Sequence, residues 1–158
     1  MDSSLIKSLL MTDLFNERGR AHHNFHDSYE AQCQILMNVI SSDSYIRPHR
    51  HLMAKKKEYL FALEGSFALL EFNNKRDIIN VRYFSTEKHS SRNSTAYGVC
   101  VEPIAWHTVI SLLPTSTILE VKEGPFDPLS AKEFLLGTPE ERSADAQIYL
   151  DYLKSELD

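Results

Sequence analysis

The sequence predicts a mainly β single domain, a sandwich or barrel of antiparallel strands with an α-helix at each end. The chain of 158 residues is about one domain long, and its 42% hydrophobic and 25% charged residues are an ordinary globular balance. Short runs rich in β-branched and aromatic residues follow one another at 33–40, 45–51, 59–63, 67–72, 78–84, 98–102, 107–112 and 117–122. No helical periodicity interrupts that series to supply the crossovers that parallel strands require, so the pairing should be mainly antiparallel.

The elements follow in chain order. Ser3 or Ser4 can cap a first helix over 1–19, with apolar positions Leu5, Ile6, Leu9, Leu10 and Leu14 at intervals of three and four and a stop near Gly19. The barrel core is expected over 33–123, with turns at Gly65, at Asn73-Asn74 and at Pro114. The apolar residues Leu60, Phe61, Leu63, Phe67, Leu69, Leu70 and Phe72 are expected inside. The polar stretch 85–97 reads as an exposed, mobile loop that leaves His89 in solvent. A last helix is expected over 138–157, because Thr138-Pro139-Glu140-Glu141 combines a cap, a proline at the first helical position and two acids in the first turn. Ala146, Tyr149, Leu150, Leu153 and Leu157 then form one apolar stripe.

Charge and cysteine usage narrow the function classes. With 17 basic against 22 acidic side chains the net charge is −5, which lacks the field that draws a protein to nucleic acid or to anionic membranes. Cys33 and Cys100 cannot make a disulfide framework and are expected as reduced core residues. Neither a long apolar run nor a basic-flanked leader is seen, so the expected location is the cytoplasm.

Histidines carry the chemistry. In Pro48-His49-Arg50-His51, alternate residues of a strand share a face, so His49 and His51 can point at one spot while Arg50 points away. Glu58 opens the next strand, and His107 begins another after Trp106. Three imidazoles and one carboxylate suit a divalent transition metal such as Fe, Mn, Ni, Co or Zn, and a metal-free structural barrel is the competing reading. The same parity puts Arg47 and Tyr45 on the interior face, where Arg47 either clamps an anionic substrate or pairs with an internal acid such as Glu120. Glu120 and Lys122 share a face of the last strand, either as an internal pair that steadies a ligand histidine or as part of a solvated outer face. His22, His23 and His26 lie on no strand or helix face that brings all three together, so they are expected by the barrel mouth and not as a zinc site.

Pro48-His49-Arg50-His51, Glu58 and Gly65 together resemble the first motif of the cupins, and Trp106-His107 resembles the histidine of the second. Arg20-Ala21-His22-His23-Asn24-Phe25-His26 before the strands and Glu120-Val121-Lys122-Glu123-Gly124-Pro125-Phe126-Asp127-Pro128 after them resemble the WbuC-type cupin metalloproteins found with polysaccharide and O-antigen genes. The resemblance spans about 20–134. It implies a cupin-like antiparallel jelly-roll barrel (a double-stranded β-helix) with a metal on His49, His51, His107 and Glu58, and it suggests that His23 and Asn24 reach the pocket to bind a ligand. It further implies a homodimer, since cupins often pair barrel to barrel, and the terminal helices offer apolar stripes that a single barrel need not cover entirely. The expected ligand is a small sugar or acid. The activity is either a metal-dependent isomerase, epimerase or oxygenase of sugar or polysaccharide metabolism, or non-catalytic binding and regulation. The chain departs from the cupin pattern in its longer spacing between His51 and Glu58, and in Glu102-Pro103-Ile104 where a Pro-x-Gly turn is usual.

Overall fold

The computed structural model describes residues 3–52, 56–86, 96–127 and 132–157. The first helical stretch is two helices, α1 (Ser3–Leu10) and α2 (Asp13–Arg18), where the periodicity had suggested one. Thr12 divides them, because its hydroxyl accepts the Phe15 amide at 3.2 Å as an N-cap. Gly19 closes α2 in the left-handed conformation, φ 64°. Leu5, Ile6, Leu9 and Leu10 of α1 pack on Ala21, Met37 and Val39. The Leu14 side chain of the expected stripe lies outside the described ones.

Ten strands follow: β1 (Arg20–Asn24), β2 (Cys33–Ser41), β3 (His49–Arg50), β4 (Glu58–Glu64), β5 (Ser66–Phe72), β6 (Ile78–Ser85), β7 (Gly98–Val101), β8 (Trp106–Ser111), β9 (Thr115–Glu123) and β10 (Glu133–Phe134). They form two five-stranded antiparallel sheets, β1-β2-β9-β4-β7 and β10-β3-β8-β5-β6, the expected jelly-roll barrel. The turns fall at Gly65, Asn73-Asn74 and Pro114 as expected. Gly65 sits at φ 85°, and a Cβ there would stand 2.3 Å from Ser116 Oγ, so this turn requires glycine.

Between the sheets, Ile40, Leu60, Phe67, Leu69, Phe84, Val101, Val109 and Ile118 form one core. On the other side of the second sheet, Ala68, Leu70, Phe72 and Ile110 meet Ala146, Leu150, Leu153 and Leu157, the stripe expected of the last helix. Strand β5 is therefore apolar on both faces. Among the described residues, the outer face of the first sheet is covered by α1 only over β1 and β2. Phe61 and Leu63 of β4, expected inside, are on that bare face and exposed, together with Tyr59. Cys33 is also exposed and Cys100 half-buried, so the expectation of core cysteines is corrected: the β2 and β7 positions that carry them lie toward the edges of the same uncovered face.

Two expectations about elements fail for one reason, competition from side-chain hydrogen bonds. Of the strand expected over 45–51 only two residues join a ladder, because Tyr45 O accepts from Arg20, Ile46 O from Thr108, and the Arg47 amide donates to Glu141. Helix α3 (Ala144–Ser155) starts after Ser143 and not at Thr138. The Thr138 hydroxyl is committed to Leu135 O, Pro139 O accepts from Tyr45, and Arg142 takes a left-handed φ of 68° before the helix begins. Strand β1, too polar to read as a strand, forms because β2 supplies its ladder and α1 covers Ala21. The expected loop at 85–97, including His89, and the lysine-rich 52–57 stretch fall largely outside the described residues.

Glu141 ties these segments together. It accepts from Arg18 at 2.9 Å, from Arg20 at 2.7 Å and from the Arg47 amide at 3.4 Å. Burial raises its carboxyl, and the charges of Arg20 and Arg18 more than reverse that, holding it below the ordinary 4.5. Glu141→Gln should cost about 2 to 3 kcal/mol at neutral pH, somewhat less than a fully buried pair because these side chains keep some solvent. The folded value is the lower one, so this stabilisation is complete above 4.5 and lost as pH falls through the folded value. Urea titrations of wild type and variant should therefore converge in acid and differ at pH 7.

Candidate metal centre

Strand β3 is short but held on both sides. His49 lies opposite Phe134 of β10 and opposite His107 of β8, so two imidazoles are brought face to face by backbone register. Their ring centroids are 4.5 Å apart. His51 follows β3 with its ring 5.4 Å from His49 and 5.5 Å from His107, while Arg50 turns away onto the Trp106 ring and Glu133. One nitrogen from each of the three histidines lies within 4.8 Å of the others. Glu58 comes to the same point from the opposite sheet, with its Oε2 3.1 Å from His51 Nε2 and 3.4 Å from His107 Nε2.

The tautomers suit ligation. Nδ1 of His49 faces Arg47 O and Nδ1 of His107 faces Ala105 O, each at 2.9 Å. A carbonyl only accepts, so both rings carry hydrogen on Nδ1 and turn Nε2 to the cavity. Two ligands about 2.1 Å from one ion stand about 3.0 to 3.4 Å apart at octahedral to tetrahedral angles, which the Glu58 distances match. His49 is fully buried, and burial followed by the charge of Lys132 drives it well below the ordinary imidazole value, keeping it neutral. Burial alone would raise Glu58, but its close contacts with the rings of His107 and His51 and the charge of Lys122 hold it well below the carboxylate range. His107 is aimed by a turn with Ile104 at φ 58°, a left-handed conformation that strains a β-branched residue where cupins usually have glycine.

A model described as a domain of unknown function (DUF6016) matches residues 1–83, more than half of the chain. The chain belongs to the DUF6016 family. No curated protein matches it in sequence. Its fold is similar to that of the capsular polysaccharide assembling protein CapF from Staphylococcus aureus, with TM-score 0.58 and 18% identity over 72% of this chain and 31% of that one. The DUF6016 chain thus spans about a third of CapF. Protein SO0799 from Shewanella oneidensis is similar at TM-score 0.56 and 7% identity, over 77% of this chain and 82% of its own. KdgF from a Halomonas species is similar at TM-score 0.51 and 12% identity, over 70% and 84%. At such identities the likeness speaks for the fold, a cupin-like barrel.

In this DUF6016 barrel the histidines open onto a cavity of about 390 Å³. Its wall includes Arg20, His22 and Asn24 of β1, Asn38 of β2, Glu120 and Lys122 of β9, and Lys132. Glu120 and Lys122 are an internal pair, not a solvated face. Lys122 contacts Glu120 and lies 3.9 Å from Glu58, and Asn38 donates to Glu120 at 3.0 Å. Burial and then the Glu58 charge push the Glu120 carboxyl up to about 7. The pair braces Glu58 rather than a histidine.

The expected ligand-binding residues divide. Asn24 lines the cavity, whereas His23 points to the other face of β1 and stacks edge-on with Phe25, ring centroids 5.0 Å apart. Arg47 and Tyr45 do not line this cavity, because 45–48 is no strand and the parity argument lapses there. Arg47 donates to Thr138 Oγ1 at 3.2 Å and lies over Phe134, and Tyr45 donates to Pro139 O. Nor does Arg47 pair with Glu120; its nearest acid is Glu140 at 4.0 Å. The polar alternation Arg20, His22, Asn24 was the sequence signal for the missed cavity wall. Lys132 had none, since it lies beyond the barrel in the chain.

Lys122→Met would leave Glu58 and Glu120 buried together without their cation. It should lower the stability of metal-free protein by about 3 kcal/mol in denaturant titration. A loss under about 0.5 kcal/mol would show that Lys122 is not the counter-charge.

Proposed function

We propose that this chain is a metal-dependent cupin that chelates a small polar, anionic molecule on a divalent transition metal held by His49, His51, His107 and Glu58. The observation that carries the reading is the convergence of the nitrogens of His49, His51 and His107 within 4.8 Å of one another, with Glu58 at 3.1 Å and 3.4 Å from two of them and the tautomers of His49 and His107 set by backbone carbonyls. The metal, when bound, supplies Lewis-acid polarisation of a ligand oxygen. Glu120, held by Asn38 and Lys122 in the same cavity, favours an enzyme over a passive binder, because a carboxyl is then within the site to exchange a proton with a chelated molecule. That favours isomerase or epimerase chemistry. A WbuC-type role in polysaccharide or O-antigen metabolism is supported by the motifs at 20–26 and 120–128 and by the fold likeness to a capsular polysaccharide assembling protein. Elemental analysis of untagged protein should give one transition metal per chain, and His49→Ala with His51→Ala should abolish it. Full retention of metal in that variant would sink the reading.

We propose in addition that two copies pair through the bare half of the first sheet. The apolar stripes of the terminal helices pack on the barrel, which favours the sheet face over them as the contact. Tyr59, Phe61 and Leu63 are 43%, 42% and 37% exposed, and half-buried Ile35, Leu119 and Val121 extend them into one apolar patch. That is a reasonable centre for an interface of about 800 Å² per partner. A two-fold axis between two such faces, crossing β4 at Phe61, runs the β4 strands antiparallel and brings Lys57 of one copy toward Glu64 of the other. Light scattering should show a dimer that Phe61→Asp dissociates. A single 18.2 kDa species for wild type would overturn it.

A further inference from the structure

The polar side chains of the cavity wall fall into two groups. Arg20 is fully used, donating to Arg18 O, Ser44 Oγ, Tyr45 O and both oxygens of Glu141. Lys122 is held by Glu120 and Glu58, and Asn38 by Glu120. Lys132, His22 and Asn24 are different: among the described residues, no side-chain hydrogen bond or ion pair engages them, although all three line the cavity. Lys132 enters from the segment before β10, and its charge acts on His49, Glu58 and Glu120. His22 and Asn24 alternate along β1 and so share its inner face.

Charge points the same way. Arg18, Arg20, Lys122 and Lys132 line the cavity, and the carboxylates that answer them are Glu58, Glu120 and Glu141, which leaves one cation in excess. A divalent metal would raise the excess to three. An excess of positive charge around the mouth of a cavity favours an anion, and an exposed lysine with no acid within ion-pair distance is the group free to meet one. An amide and an imidazole, each able both to donate and to accept, suit hydroxyl groups.

We propose that Lys132, Asn24 and His22 form the second half of the ligand site: Lys132 takes the anionic group of a hydroxylated carboxylate or phosphate ester while Asn24 and His22 take its hydroxyls. The proposal deepens the metal-cupin reading and rests on it for the chelated end of the ligand. It moves the anion clamp from Arg47, which is turned outside the cavity, to a residue that reaches in from the C-terminal side of the barrel.

The test is calorimetric titration of glucuronate, glucose 6-phosphate and neutral glucose into manganese-loaded wild type, Lys132→Gln, Lys132→Arg and Asn24→Ala, with metal content measured in each. Wild type should bind at least one of the two anions more tightly than glucose, and which one separates carboxylate from phosphate recognition. Lys132→Gln should keep its metal and lose about tenfold to a hundredfold in anion affinity, with Lys132→Arg restoring most of it. Asn24→Ala should weaken the sugar anions but not inorganic phosphate. Equal anion affinity in wild type and Lys132→Gln, or no binding of either anion by wild type, would overturn the proposal. If the protein takes up no manganese or other transition metal, the metal reading fails alone, and Lys132-dependent anion binding by the metal-free protein still decides this one.

Discussion

One carboxylate, Glu141, holds together the parts of the chain that the barrel by itself leaves loose. Its oxygens collect Arg18 from the end of α2, Arg20 from the start of β1 and the backbone of Arg47 just ahead of β3. The segment that delivers His49 is thus positioned by an ion-pair knot and not by a sheet ladder. Such a knot tolerates little: Arg20 is largely withdrawn from bulk water, and Glu141 is the acid that answers both guanidinium groups. From that fixed base, β3 needs only two ladder residues to set His49 opposite His107.

Where the chain repeats a simple period, its structure was readable. The strand positions of β5 and β9, the turns at Gly65 and Pro114, and the stripe Ala146, Leu150, Leu153, Leu157 all appear where hydrophobic periodicity and turn chemistry place them. Of the candidate centre, the HxH parity pointed to His49 and His51, and the resemblance to the cupin motifs added Glu58 and His107. Where long side chains compete for backbone groups, periodicity misled. Tyr45 and Arg47 have strand-like neighbours, yet Arg20, Thr108 and Glu141 satisfy that backbone instead.

The ligand wall shows a second limit. His22 and His23 are adjacent in sequence, but β1 sends one into the cavity and the other to the opposite face. Choosing between them required knowing that a polar pentapeptide is a strand at all, and that depends on β2 and α1, not on its own residues. Lys132, just before β10, lines the same cavity, and no local pattern announces it. Phe61 and Leu63 erred in the opposite direction: they alternate as core residues do, and only the reach of α1 decides that their face stays open.

Glu58 belongs to one sheet and the histidine pair His49 and His107 to the other, so their meeting point spans the two walls of the barrel. Such a point is a mechanical rivet as well as a chemical one. Whatever bridges it couples the spacing of the walls to its own binding free energy, and occupancy should be felt as slower breathing of β4 and β8, far beyond the atoms in contact. In this barrel, how tightly the floor is closed and how open the mouth stands are one variable.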